Sequence, residues 1–264
     1  MKKFLLLFLI SIAIFSCSPF QKALKSEDST VKYTEATKQY ENKKYDRSLR
    51  LFEQIAPNFR GKPESEDMFY MYSQAYWKTK QYVSAGYQFE KFASSYPKSS
   101  RIEEAAFLGA KSYSKLSPVY SLDQVDTDKA IDKLQSFIDA YPNSQYLGEA
   151  NADVKVLREK LEKKAFEIAK QYNTISDYKA AIVALDNFIS DYPGTPFKEK
   201  ALFYKFDSTY KLAINSIPSK MEERLNISKV AYNNLMKFNE NSQFKSKAND
   251  MLARINKDLQ QFSK

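Results

Sequence analysis

One side chain in this sequence is placed for covalent chemistry. Cys17 is the single cysteine, and it follows Lys2-Lys3, an apolar run from Phe4 to Phe15, and the small residue Ser16. Two lysines ahead of a short apolar stretch predict a secretory signal peptide over 1–16. The run falls short of the roughly 20 residues that a membrane-spanning helix needs. A small residue directly before cysteine, at the end of such a run, has the arrangement of a bacterial lipobox. Cleavage after Ser16 would leave Cys17 at the N-terminus, with its thiol and its amine acylated. Each buried methylene contributes about 0.8 kcal/mol, so two or three chains anchor stably where one does not.

Other chemistry lacks its parts. There is no histidine, so zinc sites, Ser-His triads and Cys-His dyads are incomplete. The five glycines, Gly61, Gly86, Gly109, Gly148 and Gly194, do not cluster, so no phosphate-cradling loop is expected. The expectation is a protein that is no enzyme and holds no metal or cofactor beyond a covalent lipid on Cys17.

The net charge is +9, with 15% aromatic residues. Basic, aromatic-rich chains include nucleic-acid binders. Export argues against nucleic acid here, and so does the dispersion of charge: lysines alternate with acidic residues along most segments, as on solvated helix faces. Anionic lipid headgroups or acidic partners are the better use of the excess.

The elements behind these residues are helical. Residues 17–30 carry the cysteine and a polar, aperiodic stretch that predicts a tether. From Val31 onward four segments align without gaps: Tyr45 to Arg60, Tyr82 to Pro97, Thr127 to Pro142 and Tyr178 to Pro193. A small residue stands at Ser48, Ala85, Ala130 and Ala181. Four residues on come Phe52, Phe89, Leu134 and Leu185, then Ile55, Phe92, Phe137 and Phe188. Steps of four and three keep one helix face apolar, and a closing proline at Pro97, Pro142 and Pro193 ends the helix. A degenerate fifth copy has Ala231, Leu235 and Phe238. An amphipathic stretch precedes each of these helices, and a last helix over 244–262 caps the series. The fold class is all-α: a tetratricopeptide-like solenoid of about five helical hairpins. The small residue lets paired helices approach, and hairpins stack because one alone cannot bury its apolar face. An insertion at Ser117 to Asp126 and a long helix from Leu147 interrupt the spacing.

Lipobox, tether and five such repeats, together with the third-repeat insertion and the stretch Tyr141-Pro142-Asn143-Ser144-Gln145-Tyr146, resemble the outer membrane assembly lipoproteins of the BamD, or YfiO, family. The resemblance covers residues 17 to 240. It implies a lipoprotein on the periplasmic face of the outer membrane that helps fold and insert β-barrel proteins. It implies two partners: unfolded outer-membrane β-barrel substrates, read at their C-terminal signals by the N-terminal repeats (31–145), and a POTRA-bearing β-barrel assembly protein, docked by the C-terminal repeats (146–264). No aspartate follows Cys17, which agrees with outer-membrane sorting.

The residues suggest where those surfaces lie. Tyr70, Trp77 and Tyr87 stand off the repeat-core positions in the aromatic-rich N-terminal half and are candidates for substrate binding. Lys245, Lys247, Arg254 and Lys257 make the final stretch basic and are candidates for partner docking. A second reading stays open, a peptidoglycan-associated repeat scaffold of another envelope complex, although no sustained heptads precede Val31.

Overall fold

A computed structural model of the chain describes residues 18–262, and no strand occurs among them. The helices in chain order are α1 (Pro19–Lys25), α2 (Ser29–Glu41), α3 (Tyr45–Ile55), α4 (Ser65–Lys78), α5 (Tyr82–Ser95) and α6 (Ile102–Ser114). They continue with α7 (Val125–Ala140), α8 (Leu147–Thr174), α9 (Tyr178–Asp191), α10 (Lys198–Ile214), α11 (Pro218–Phe238) and α12 (Lys245–Leu259). Consecutive helices from α2 to α11 form five hairpins, and α12 packs on α11 as a cap. The signal peptide and Cys17 lie outside the described residues.

The repeat core is where the periodicity puts it. Ser48, Ala85, Ala130 and Ala181 are fully buried, as are Phe52, Phe89, Leu134 and Leu185 one helical turn on. Burying a side chain of that size contributes roughly 1.5–3 kcal/mol, so this one stripe accounts for much of what holds each hairpin together. Glycine extends the small-residue logic to the α5–α6 contact. A Cβ on Gly109 would stand 3.2 Å from the Phe89 Cβ. The fifth copy departs from expectation by a shift of three residues: Ser228, fully buried, takes the small position expected at Ala231, Leu235 takes the place of Phe92, and Phe238 is 48% exposed. The chain turns extended at Asn239, where the other copies place a tyrosine. The Phe238 ring therefore lies at the surface, with the Lys198 ammonium 5.6 Å from its centre.

Three hairpin turns share one geometry. Lys43, Lys80 and Ser176 have φ of 59°, 60° and 66°. The next N–H reaches back across the turn, from Lys44 to the Gln39 carbonyl, from Gln81 to Tyr76 and from Asp177 to Tyr172, at 2.9, 3.0 and 3.0 Å. This is a left-handed C-terminal cap made without glycine.

The turns between hairpins contain a device that periodicity does not reveal. Three residues after the tyrosine position come Ser99, Ser144, Thr195 and Ser242, all buried. Each hydroxyl accepts the N–H two residues on, at 3.1 to 3.3 Å. Ser99 also donates to Glu66 at 2.7 Å and Ser242 to Glu199 at 2.6 Å. The residue so positioned then covers a ring on the preceding hairpin. Tyr146 stacks on Phe107, Phe197 on Phe166 and Phe244 on Phe203, at 4.8, 5.7 and 4.1 Å.

Two expectations are corrected. The stretch over 18–30 is no tether. Ser18 caps α1 by accepting the Gln21 N–H at 3.3 Å, Pro19 opens the helix, and Phe20 and Ala23 are buried in the N-terminal core. The division of the chain also falls later than residue 145. One compact unit comprises 18–118 with Val125–Val154, and the other comprises Val119–Gln124 with 155–262, so the boundary lies inside α8. The loop joins the second unit because Lys164 donates to the Leu122 carbonyl at 2.6 Å and the Lys163 ammonium sits 4.2 Å over the Tyr120 ring.

Candidate functional site

The three aromatic candidates do not form one surface, and no ring pair among the described residues joins any two of them. Tyr70 is half-buried, 5.5 Å from the Phe92 ring, with the Arg101 guanidinium 4.8 Å over its face. Its hydroxyl accepts from Gln74 at 2.9 Å. Burial, with the Glu104 carboxylate beside it, holds its phenol far above the ordinary range. Arg101 follows Ser99 as Tyr146 follows Ser144, so Tyr70 is the counterpart of Phe107, Phe166 and Phe203. It is a stacking position of the repeat, half-buried beneath Arg101. Trp77 is half-buried edge-on to Tyr82 at 5.2 Å. Tyr87 is 56% exposed, with the Lys91 ammonium 5.4 Å from its ring centre.

Lys91 leads from Tyr87 into a cleft within the N-terminal unit. It has a volume of about 270 Å³, and Phe69, Phe92 and Tyr96 line it together with Arg60 and Lys91. It runs on past Glu53, Pro57 and Tyr72. The local fold explains the composition. Pro57 ends α3 in a short 3-10 turn, which releases Arg60 and Gly61 to the rim, and α4 and α5 supply the floor. The rings are mutually braced, Phe92 to Tyr96 at 5.2 Å and Phe69 to Tyr96 at 6.5 Å. At the far end Tyr76 donates to Glu53 at 2.9 Å, with the Tyr72 hydroxyl 2.9 Å from its own. Burial first, and then the Tyr72 and Glu53 oxygens, keep the Tyr76 phenol protonated well above its usual range. Phe69 and Phe92 are themselves buried, so the accessible aromatic face is chiefly that of Tyr96, with the two cations at the rim. Arg60, Phe69, Phe92 and Lys91 were not read from the sequence as a site. Their types are ordinary core and surface types, and only their convergence marks them.

The basic candidates lie on α12 and differ in availability. Arg254 is committed to Asp258, at 3.0 and 2.9 Å to the two carboxylate oxygens. The Lys247 ammonium covers the Phe203 ring at 5.2 Å. Lys245 and Lys257 are exposed. The helix thus presents less free charge than its composition suggests. Among the described residues, no group of three acidic or cysteine side chains gathers as a metal site.

Helical hairpins with small residues between the helices, stacked through serine-braced turns, define an all-α protein of tetratricopeptide-like repeats. Residues 25–225 match the YfiO family, described as outer membrane lipoprotein, and the chain belongs to that family. Similar proteins carry the name outer membrane protein assembly factor BamD. The one from Buchnera aphidicola is 24% identical over 87% of this chain and 99% of its own. Those from Pasteurella multocida and Neisseria gonorrhoeae are 22% and 24% identical, over 83% and 76% of this chain and 88% and 82% of theirs. A solved structure of kinesin light chain TPR-like repeats from Podosopora anserina covers 81% of this chain and 99% of its own at 12% identity, with a TM-score of 0.32. That likeness is too slight to add to the fold described above.

Proposed function

We propose that this chain is a lipid-anchored assembly factor for outer-membrane β-barrel proteins, acting on the periplasmic face by binding polypeptides. The family and the printed names of its relatives support the role in outer membrane protein assembly. The finer reading assigns substrate signals to the N-terminal unit and a POTRA-bearing barrel protein to the C-terminal unit. The observation that carries it is the cleft over Phe69, Phe92 and Tyr96 with Arg60 and Lys91 at its rim. A β-barrel signal that ends in an aromatic residue and a carboxylate matches that combination in chemistry. Binding is expected to be weak, because an extended peptide loses its freedom on docking.

The test is peptide binding to the full chain, read by titration calorimetry. A peptide copying the last strand of a β-barrel protein should bind the wild type, and Arg60→Glu with Lys91→Glu should weaken it at least about tenfold, since two charge-assisted contacts are lost. Equal affinity for a scrambled peptide without its terminal aromatic residue would remove the signal-reading role. Acylation of Cys17 is a separate matter, decided by the mass of the N-terminal peptide.

A further inference from the structure

The packing of α1 alters what the anchor can do. Only Ser18 separates position 17 from the first turn of a helix that belongs to the folded core. An extended tether over 18–30 would have allowed about 40 Å between lipid and repeats, at roughly 3.3 Å per residue. A single capping residue allows almost none. Whatever surface surrounds α1 must then meet the membrane wherever Cys17 is anchored.

That surface has the chemistry of a headgroup contact. Arg47 and Arg50 of α3 stand over the Phe20 ring, with guanidinium carbons 5.3 and 5.7 Å from its centre. Lys22 and Lys25 are exposed along α1 itself. None of these four cations is in an ion pair among the described residues. The carboxylates of α1, α3 and the α1–α2 junction are Glu27, Asp28, Asp46 and Glu53. Asp28 is occupied in capping α2 through the Thr30 N–H at 2.7 Å, and Glu53 accepts from the Tyr76 hydroxyl at 2.9 Å. Beside the cations, α1 and α2 leave a shallow, largely apolar cleft lined by Pro19, Ala23 and Val31, with Val31 45% exposed. Lys22 and Glu35 also line it, and the Glu35 carboxylate accepts from the Gln39 amide. Cations and small apolar groups beside an acylation point form the two-part combination that makes lipid anchoring stable.

We propose that this face, Lys22 and Lys25 on α1 with Arg47 and Arg50 around Phe20, seats on an anionic phospholipid surface and holds the N-terminal unit against the membrane. The proposal rests on the lipoprotein reading for its geometry, but the headgroup contact is testable without the lipid.

The experiment uses the full chain from residue 17 with Cys17→Ser, so that no acyl chain contributes, and sedimentation with vesicles. Vesicles of phosphatidylglycerol and phosphatidylethanolamine should bind it, less so as salt rises, and phosphatidylcholine vesicles should not. A cation near an anionic surface is worth about a fivefold change in affinity, so Arg47→Glu with Arg50→Glu should weaken binding at least about tenfold. Lys22→Glu with Lys25→Glu, which leaves the Phe20 ring untouched, should do the same and carries the test if the arginine pair fails to fold. Lys245→Glu with Lys247→Glu should stay within about twofold of the parent. Equal binding to phosphatidylcholine, or a larger loss from the α12 pair than from the α1-face pairs, overturns the proposal. An unacylated Cys17 in the wild-type chain would instead sink the anchor and leave the vesicle result standing.

Discussion

Single residues act here through what they touch. Ser242 is the clearest case. Its hydroxyl donates to Glu199 at 2.6 Å and accepts the Phe244 N–H at 3.1 Å, so it ties the turn before the capping helix to the last hairpin and fixes the ring that stacks on Phe203. Ser242→Ala leaves the Phe244 N–H without its partner and takes from Glu199 one of two donors, the other being the Gln243 N–H at 3.2 Å. It should cost about 2 kcal/mol, read as a shift in urea midpoint at constant slope. Ser246→Ala, at an exposed position, should shift it little. Tyr40 offers a pH test. Burial pushes its phenol up to about 12 from an ordinary value near 10. The folded state therefore keeps a proton that the unfolded chain releases. The associated stability is fully present below about pH 10 and is lost as pH rises toward 12. Tyr40→Phe should flatten that alkaline decline in thermal midpoint, and an unchanged slope would show that other phenols dominate.

Helices and turns carry the next level. The left-handed residues Lys43, Lys80 and Ser176 each occupy a conformation that costs a residue with a Cβ roughly 1–2 kcal/mol. Lys80→Gly should therefore stabilise the chain by up to about 1 kcal/mol, after the greater freedom of glycine in the unfolded state is subtracted. Lys80→Val should destabilise it, because β-branching worsens the same clash. Helix α1 invites a different measurement. It has only Phe20 and Ala23 in the core, so Phe20→Ala should release it locally. Amide exchange over 19–25 should accelerate by orders of magnitude while α4 and α5 keep their protection. Uniform acceleration through the N-terminal unit would mean that α1 is integral to global stability.

At the scale of the whole molecule, free charge decides how partners are met. Lys245 and Lys257 are exposed, whereas Arg254 is neutralised by Asp258 and Lys247 covers a ring. If α12 steers an acidic POTRA-bearing partner, Lys245→Glu with Lys257→Glu should slow association several-fold at low salt and leave dissociation nearly unchanged. Arg254→Gln should alter the association rate much less. Stopped-flow measurement across ionic strength checks both, and equal effects from the two variants would contradict the difference in availability.

The sequence alone determined the helical pairs, because a step of four and three residues is a local property that any stable packing must respect. Ala85, Ala130 and Ala181 declared the close contacts and the prolines declared the helix ends, while the lipobox-like pattern at Cys17 is what the proposed lipid anchor rests on. The Arg254–Asp258 pair was legible too, since residues four apart share a helix face. Tertiary structure alone decided the rest. Residues 19–25 are too short and too polar to announce a helix, and docking of Phe20 makes one. Tyr70 looked free until Arg101 of another hairpin covered it. The cleft at Arg60 and Lys91 exists only because a 3-10 turn, α4 and α5 converge. Periodicity records which face a residue takes on its own helix, while a site depends on which faces of distant helices meet, and that is settled by packing.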